Sequence, residues 1–295
     1  MKVYIAYKTT NDPWGGGNQF IRFLSKELEK VNLLSNLQDS DIVLFNSHQN
    51  AEDIVKLKNE YPEKKFIHRI DGPMRLYNQM SDDRDDIVYH LNQLVADGSV
   101  FQSQYSLDAN MHLGFLINKP HCIIHNQADP NIFFPKKNAP IKNRIISTSW
   151  SSNIKKGFDT YKYLDQNLDF QNIEYVFAGN SPYQFTNIKT IGALTSVELA
   201  NELRNSSLYV TCSENDPCSN SLIESISTHT PVLALKSGGH PELINESGKI
   251  YVNKNDLVTI INNMLSNIKQ YKFPQKESAC NQYINFFKKI HRNEK

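Results

Sequence analysis

Short runs rich in β-branched and aromatic residues alternate with longer amphipathic stretches along the chain. Strand periodicity followed by helical periodicity is typical of parallel sheets flanked by helices. In the first half the pattern predicts strands over residues 2–6, 41–46, 65–69, 100–102 and 121–124, and helices over 18–30, 50–60 and 81–94. In the second half it predicts strands over 144–148, 174–178, 208–212 and 232–235, and helices over 157–164, 196–205, 219–228 and 255–267.

A Pro- and Lys-containing segment over residues 130–143 breaks both periods and reads as a linker. We therefore predict two doubly wound, Rossmann-like α/β domains that face a cleft. The predicted boundaries are 1–139 and 140–276, and a C-terminal helix within 277–295 is expected to join the first domain. Ligands of such sheets bind at the carboxyl ends of the strands.

Composition narrows the function. The formal net charge of the 295 residues is +1, which argues against a nucleic-acid binder. The chain shows no signal-peptide pattern and no apolar run of about 20 residues, so we expect a cytoplasmic protein without a transmembrane segment. Its four cysteines are scattered, as expected for reduced thiols. The sequence leaves the oligomeric state open, a homodimer included.

The most informative segment, residues 213–244, reads SENDPCSNSLIESISTHTPVLALKSGGHPELI. A strand ends at about residue 212, and a helix is predicted to start near Cys218, Ser219 and Asn220. The free N–H groups of a helix start suit an anion such as a diphosphate. Asp216 precedes this helix and Glu224 lies about one turn inside it, so both carboxylates are expected to face the same ligand and accept hydrogen bonds from sugar or ribose hydroxyls.

The first half offers two further candidates. Gly15, Gly16 and Gly17 follow the first strand, where glycines let the backbone approach a phosphate or sugar. Their spacing is not GxGxxG, which disfavours a dinucleotide. The segment FIHRIDGP places His68, Arg69 and Asp71 at a strand end; we expect His68 to contact a sugar, or to act as a structural donor, and Arg69 and Asp71 to contact a sugar or an acceptor.

Together these motifs resemble glycosyltransferase family 4. The resemblance is carried by an acid, seven residues and a Glu, then by a Pro-Val strand and a Gly-Gly/Pro-Glu loop. Weaker similarity covers most of the chain, including IHNQADPNIFFP and WSSNIKKGFD. Asp216 stands where the family usually has Glu, and Trp150 or Ser151 where it usually has Arg. The compact length resembles virus-encoded members, which would place the protein in a host cytoplasm.

The resemblance implies a GT-B fold and retaining, metal-independent hexosyl transfer from a sugar nucleotide to a glycan or glycoprotein acceptor, with no cofactor. In that case Lys156 neutralises the leaving diphosphate and Leu194 contacts the base. Asp216 contacts the sugar and Glu224 the ribose. We predict GDP-mannose as the first donor and UDP-glucose as the second.

Alternatives stay open. A sugar-nucleotide-binding protein with weak catalysis fits the two departures from the family pattern, Asp216 in place of Glu and the missing Arg. An epimerase or phosphorylase shares the two-domain fold. Two DxD patterns, at Asp39–Asp41 and Asp83–Asp85, are typical of metal sites in other transferases, but we read them as surface charge.

Overall fold

The computed structural model describes residues 1–8, 16–78, 82–135 and 140–293. The helices and strands of this part of the chain are β1 (Val3–Ile5), α1 (Gly16–Lys30), β2 (Ile42–Asn46), α2 (Ala51–Glu60), β3 (Lys65–Ile70), α3 (Met74–Asn78), α4 (Arg84–Val95), β4 (Gly98–Phe101), α5 (Gln104–His112), β5 (His121–Ile123), β6 (Arg144–Ser149), α6 (Phe158–Asn167), β7 (Glu174–Gly179), β8 (Lys189–Gly192), α7 (Ser196–Asn205), β9 (Leu208–Thr211), α8 (Asn220–Ser227), β10 (Val232–Leu235), α9 (His240–Ile244), β11 (Gly248–Tyr251), α10 (Leu257–Ser266) and α11 (Ala279–His291).

The chain divides into two units. Of the described residues, the first unit contains 1–8, 16–127 and 276–293, and the second contains 128–135 and 140–275. Both units are parallel sheets with helices on their faces, so the predicted Rossmann-like α/β fold class is confirmed.

The sheet of the first unit has the order β1-β2-β3-β4-β5, and every neighbouring pair is parallel. A single parallel bridge between Val3 and Leu34 continues this sheet beyond β1. The chain therefore leaves β1 through α1 towards Leu34, and then crosses back to β2. This reversal makes the sheet doubly wound and puts its switch point at the carboxyl ends of β1 and β2.

Apolar side chains on the two faces of this sheet pack against different helices. On one face α1 and α11 cover β1, β2 and β3, with Phe20, Leu24, Tyr283 and Phe287 fully or almost fully buried. On the other face α2 and α4 cover Val43, Phe45 and Phe66. The last helix of the chain is thus part of the core of the first unit.

The second unit has six parallel strands in the order β11-β10-β9-β6-β7-β8. Helices α6 and α10 pack on one face, whereas α7, α8 and α9 pack on the other. The chain runs outwards from β6 to β8, returns through α7 to β9, and continues to β11. Its switch point therefore lies between β6 and β9.

The division between the units falls earlier than the boundary expected from the sequence. Ala128 and Phe133 pack into the apolar cluster of the second unit, and the Arg204 guanidinium donates a hydrogen bond to the Ile132 carbonyl. The described part of the presumed linker is consequently held by the second unit. No helix in the described ranges combines the length and apolar character needed to cross a membrane.

Candidate functional site

The switch point of the second unit brings together the loops that follow β6 and β9. Where the connections from two neighbouring strands run in opposite directions, a crevice forms at the carboxyl ends of these strands. Ligands of open α/β sheets bind in this crevice. Two sequence-predicted residues, Lys156 and Asp216, lie in these two loops. The topology of the sheet thus explains why residues 60 positions apart in sequence become neighbours.

Lys156 ends a short 3₁₀ turn, Ile154–Lys156, that connects β6 to α6. Gly157, the next residue, has a φ of +76°, and a Cβ at this position would overlap the carbonyl group of Cys212 at the end of β9. Only glycine combines this backbone conformation with so close an approach. Gly157 thereby holds the lysine turn against β9.

The loop that carries Asp216 is fixed by the loop after β10. The Gly239 N–H donates to the Asp216 carbonyl oxygen at 2.9 Å, and the Asn215 N–H donates to Ser237 Oγ at 2.9 Å. Gly238 has a φ of +59°, and a Cβ there would overlap the main chain of Asp216. The Ser-Gly-Gly sequence is therefore a support for the Asp216 loop.

Each of the two neighbouring lysines pairs with an acid from the β9 loop. Lys156 Nζ lies 3.4 Å from Asp216 Oδ2, with both side chains partly exposed at 19% and 16%. Lys155 Nζ lies 2.5 Å from Glu214 Oε2. Trp150, near the position where the family usually has Arg, is exposed at the end of β6.

Helix α8 begins next to Asp216. The Cys218 N–H donates to Asp216 Oδ1 at 3.3 Å, and both Cys218 and Ser219 are buried. Ser219 is the N-cap residue but its side chain makes no capping hydrogen bond to the helix that starts at Asn220. The main-chain N–H groups and partial positive charge of this helix start add to the charge of Lys156 at the same strand ends.

Glu224 lies on α8, and its side chain is partly buried. Burial raises its pKa to about 7, because desolvation disfavours the carboxylate form. Within the described ranges, no ion pair or side-chain hydrogen bond engages this carboxyl group. A partly buried acid with a raised pKa is typical of functional sites.

Leu194 lies in the turn between β8 and α7, half-buried against the apolar cluster that contains Ala200 and Leu203. Thr195 and Glu198 form a capping box at the start of α7. Such reciprocal hydrogen bonds fix the direction in which the chain enters a helix. The turn containing Leu194 is therefore an ordered part of the second unit.

The sequence analysis missed His240 beside Asp216. This ring is fully buried; its Nδ1 lies 3.0 Å from the Leu235 carbonyl oxygen, and its Nε2 has no hydrogen-bond partner within the part of the chain that the structure describes. Burial lowers the pKa of His240, while the charge of Asp216 acts in the opposite direction. The imidazole thus contributes a neutral ring behind the acid.

In the first unit, Gly16 and Gly17 form the first residues of α1, and Gly15 lies outside the described residues. A Cβ on Gly17 would lie 3.8 Å from the Arg69 guanidinium. The start of α1 thus lies close to the polar side chain that the sequence singled out on β3.

His68 corrects an expectation. It is fully buried, stacks on Phe45 and has both ring nitrogens occupied, Nε2 by the Ser47 carbonyl oxygen at 2.9 Å and Nδ1 by Asn92 at 3.1 Å. Burial lowers its pKa to about 3, so the ring is neutral. Because alternate strand residues point to opposite faces, His68 and Arg69 do not share a site. A contact of His68 with a sugar is not compatible with this placement.

Arg69 and Asp71 do come together. Arg69 Nη1 donates to Asp71 Oδ1 at 3.0 Å and to Asn46 Oδ1 at 2.5 Å, and Nη2 donates to Asn126 Oδ1 at 2.7 Å. Gln102 also donates to Asp71. Asn46, Gln102 and Asn126 were missed by the sequence analysis, although each stands at or shortly after a strand end.

The DxD segments have structural roles. Asp41 accepts a hydrogen bond from the Lys2 N–H, and buried Asp85 accepts the N–H groups of Met74 and Arg75 at the start of α3. The surface-charge interpretation is therefore wrong for Asp85. Among the described residues, no group of three or more His, Cys, Asp or Glu side chains is arranged to hold a metal ion.

Solved structures with the same architecture are GT-B proteins. Sucrose-phosphate synthase from Thermosynechococcus elongatus matches with a TM-score of 0.73 and 13% identity, over 99% of this chain and 97% of that chain. Anabaena Alr3699/HepE in complex with UDP-glucose matches with a TM-score of 0.71 and 14% identity, over 99% and 97%. AviGT4, a glycosyltransferase involved in avilamycin A biosynthesis, matches with a TM-score of 0.66 and 11% identity, over 99% and 98%. The fold is thus of the GT-B type.

Sequence comparison adds a family match for the second unit. Residues 158–269 match the family model described as glycosyl transferases group 1. This segment contains Asp216, Glu224 and Leu194, and it begins two residues after Lys156. No curated protein matches the chain in sequence.

Proposed function

We propose that the protein is a retaining glycosyltransferase of family 4 that moves a hexose from a nucleoside diphosphate sugar to a carbohydrate or glycoconjugate hydroxyl. The observation that carries the proposal is the meeting of Lys156, Asp216 and the start of α8 at the switch point of the second unit. The group 1 glycosyltransferase match over residues 158–269 supports the same activity.

The donor is assigned to the second unit group by group. Lys156 and the first N–H groups of α8 bind the diphosphate, since a cation and a helix start both attract anions. Asp216 accepts hydrogen bonds from the transferred sugar, and Glu224 accepts them from the ribose diol. The turn at Leu194 packs against the base. Each assignment matches a ligand group to the charge or polarity of one element.

The chemistry follows from these charges. The bond between the anomeric carbon and the diphosphate oxygen breaks, and the acceptor oxygen forms the new bond on the same face. The acceptor proton passes to the departing phosphate oxygen. Lys156 and the α8 start stabilise the charge that grows on the diphosphate, which is the electrostatic contribution that commonly dominates such reactions. Asp216 is paired with Lys156, so we assign it to binding and not to nucleophilic attack.

For the donor, we now place UDP-glucose before GDP-mannose. HepE, which shares the fold, was solved with UDP-glucose and also with UDP and glucose. A uridine diphosphate sugar is therefore the first compound to test, and GDP-mannose stays the second.

Calorimetric titration with UDP, UDP-glucose, GDP and GDP-mannose tests the proposal. We expect one sugar nucleotide to bind. Its sugar should be released slowly by hydrolysis, or transferred when an acceptor is present, and NMR of the product should show that the α-anomeric configuration is retained. EDTA should leave the rate unchanged. Absence of binding by all four nucleotides would refute the donor site.

A sugar-nucleotide-binding protein with weak catalysis is the second candidate. It is favoured by the pairing of Lys155 with Glu214, because a lysine bound to a carboxylate is less available to a diphosphate. Binding of a donor without hydrolysis or transfer over hours would favour this alternative.

A further inference from the structure

A polar network centred on Arg69 occupies the carboxyl ends of the strands in the first unit. The Arg69 side chain is fully buried, and its guanidinium binds Asn46 from the end of β2, Asp71 after β3 and Asn126 after β5. Its Cζ atom also lies 5.1 Å from the Phe20 ring centre. Burying a guanidinium is costly unless it is paired. These hydrogen bonds offset that cost and hold the guanidinium in one position.

Asp71 is the member of the network that reaches the surface. Its side chain is 20% exposed, whereas that of Arg69 is not exposed at all. Asp71 Oδ1 accepts from Arg69 and Gln102, while among the described residues Oδ2 accepts a long, 3.5 Å hydrogen bond from Asn46 and no other. Each carboxylate oxygen has about two acceptor positions. Oδ2 therefore retains capacity for a strong donor.

The main chain of Asp71 is fixed as well. Its carbonyl oxygen accepts hydrogen bonds from Ser106 Oγ and Asn110 Nδ2, both at 3.1 Å on α5. Tyr7, at the end of β1, is half-buried, and its pKa is raised by burial and by the charge of Asp71. The carboxylate is thus held from behind and flanked by a phenol, at the end of the sheet where β1 and β2 diverge.

We propose that Asp71 accepts a hydrogen bond from a sugar hydroxyl of the substrate, and that Arg69 is the positioning residue that fixes its carboxylate. The inference rests on the glycosyltransferase function proposed above and adds a hydroxyl-binding group in the first unit. A hydroxyl of the transferred sugar and a hydroxyl of the acceptor present the same chemistry. A preorganised carboxylate binds either with little loss of side-chain entropy.

Three variants test the two roles. Asp71→Asn keeps the shape and removes the charge, Asp71→Glu keeps the charge and displaces it, and Arg69→Lys keeps a cation but cannot bind Asn46, Asp71 and Asn126 together. The matched control is Arg144→Lys in the second unit, where a buried arginine pairs with Glu202 at 2.5 Å. Melting temperatures are recorded for all four proteins.

Two binding measurements distinguish the sources of the hydroxyl. The first compares UDP-glucose with UDP by calorimetry, and the second follows methyl α-D-glucopyranoside on the UDP complex by saturation-transfer NMR. We expect both Asp71 variants to weaken binding roughly tenfold in one of these measurements while UDP affinity stays the same, since each loses or displaces one charge-assisted hydrogen bond. Loss in the first measurement identifies the transferred sugar, and loss in the second identifies the acceptor.

Arg69→Lys should give an intermediate loss in the same measurement, and Arg144→Lys should give none at a comparable drop in melting temperature. If the wild-type protein binds sugar but both Asp71 variants bind it equally well, the inference is overturned and the proposed function stands. If the wild-type protein binds no sugar nucleotide, the proposed function and this inference fail together. If Arg69→Lys does not fold, the Asp71 pair alone decides.

Discussion

Lys156 Nζ lies 3.4 Å from Asp216 Oδ2, across the switch point of the second unit. The distance is longer than that of a strong ion pair, and both groups are partly exposed, so the pair contributes little to stability. A diphosphate carries more charge than one carboxylate and would compete well for Lys156. We infer that Asp216 holds the Lys156 ammonium group at the site before the donor binds.

Replacing Lys156 by alanine should lower the transfer rate roughly 10²-fold, because the leaving diphosphate loses its nearest cation. Stability should change by less than about 1 kcal/mol, as is usual for a partly exposed ion pair. Steady-state kinetics with UDP-glucose and thermal unfolding provide the two measurements.

Lys155→Ala is the matched control for this experiment. Lys155 is bound to Glu214, so its removal should change the rate less than about threefold, within the range expected of a peripheral salt bridge. Equal losses in the two variants would mean that general surface charge, and not Lys156 itself, supports the reaction.

Glu224→Gln should separate stability from donor binding. The folded-state pKa of about 7 exceeds the ordinary value of 4.5, so the folded protein binds more protons than the unfolded chain between these values. Stability contributed by the protonated form is therefore lost as the pH rises through 7. The variant should be more stable than wild type at pH 8, by roughly 1–2 kcal/mol, and equal at pH 4.5.

The same variant should bind UDP-glucose roughly tenfold less tightly at pH 8, since an amide replaces a charged acceptor. Wild-type affinity should rise between pH 6 and 8, and that of the variant should not. Glu198→Gln is a control for the effect on stability. Hydrogen bonds from Thr195 lower the pKa of Glu198, so the change in stability with pH should have the opposite sign. A wild-type affinity that is flat with pH would contradict a ribose contact by the ionised Glu224.

Gly238→Ala should disrupt donor binding through the main chain. Residue 238 has a positive φ, and the new Cβ would overlap Asp216, so the loop must shift. We expect a loss of roughly 2–3 kcal/mol in stability and a weaker affinity for UDP-glucose. Gly192→Ala carries a comparable φ of +73° with open space around it, and should show only the smaller conformational cost.

His68→Gln should alter the acid sensitivity of the fold and not its pH optimum. The folded pKa of about 3 lies below the ordinary 6.5, so wild-type stability is fully present above pH 6.5 and falls as the pH drops towards 3. Between these pH values His68 contributes about 1.4 kcal/mol per pH unit to the slope of stability against pH, and this contribution should vanish in the variant. Denaturant titrations of wild type and variant at pH 4–7 measure this slope, and an equal slope in both proteins would contradict the prediction.

Inner strands such as β2 and β10 were predictable because each contains an apolar run, IVLF or VLAL, that is suited to burial on both faces of a sheet. Strands β8 and β11 were missed: both are four-residue edge strands, and β8 is mostly exposed, so neither carries an apolar run. Helices α5 and α9 were missed because one is rich in polar residues and the other spans only five residues.

The candidate site divides in the same way. Lys156, Asp216 and Glu224 were found because each lies within a motif of fixed spacing next to a strand end. Asn46 and Asn126 are single polar residues whose importance depends on the Arg69 guanidinium that binds both, and Gln102 joins the network through Asp71. His68 was misplaced because adjacency in sequence was taken as adjacency in space, although neighbouring strand residues point apart.

Helix α11 has a consequence for how the protein is made. Tyr283 and Phe287 belong to the core of the first unit, yet they follow the whole of the second unit in the sequence. On the ribosome, the second unit can finish folding while the first still exposes the apolar side chains of α1. The core of the first unit is thus completed after the second unit, and its exposed part is the surface that a chaperone would have to protect during synthesis.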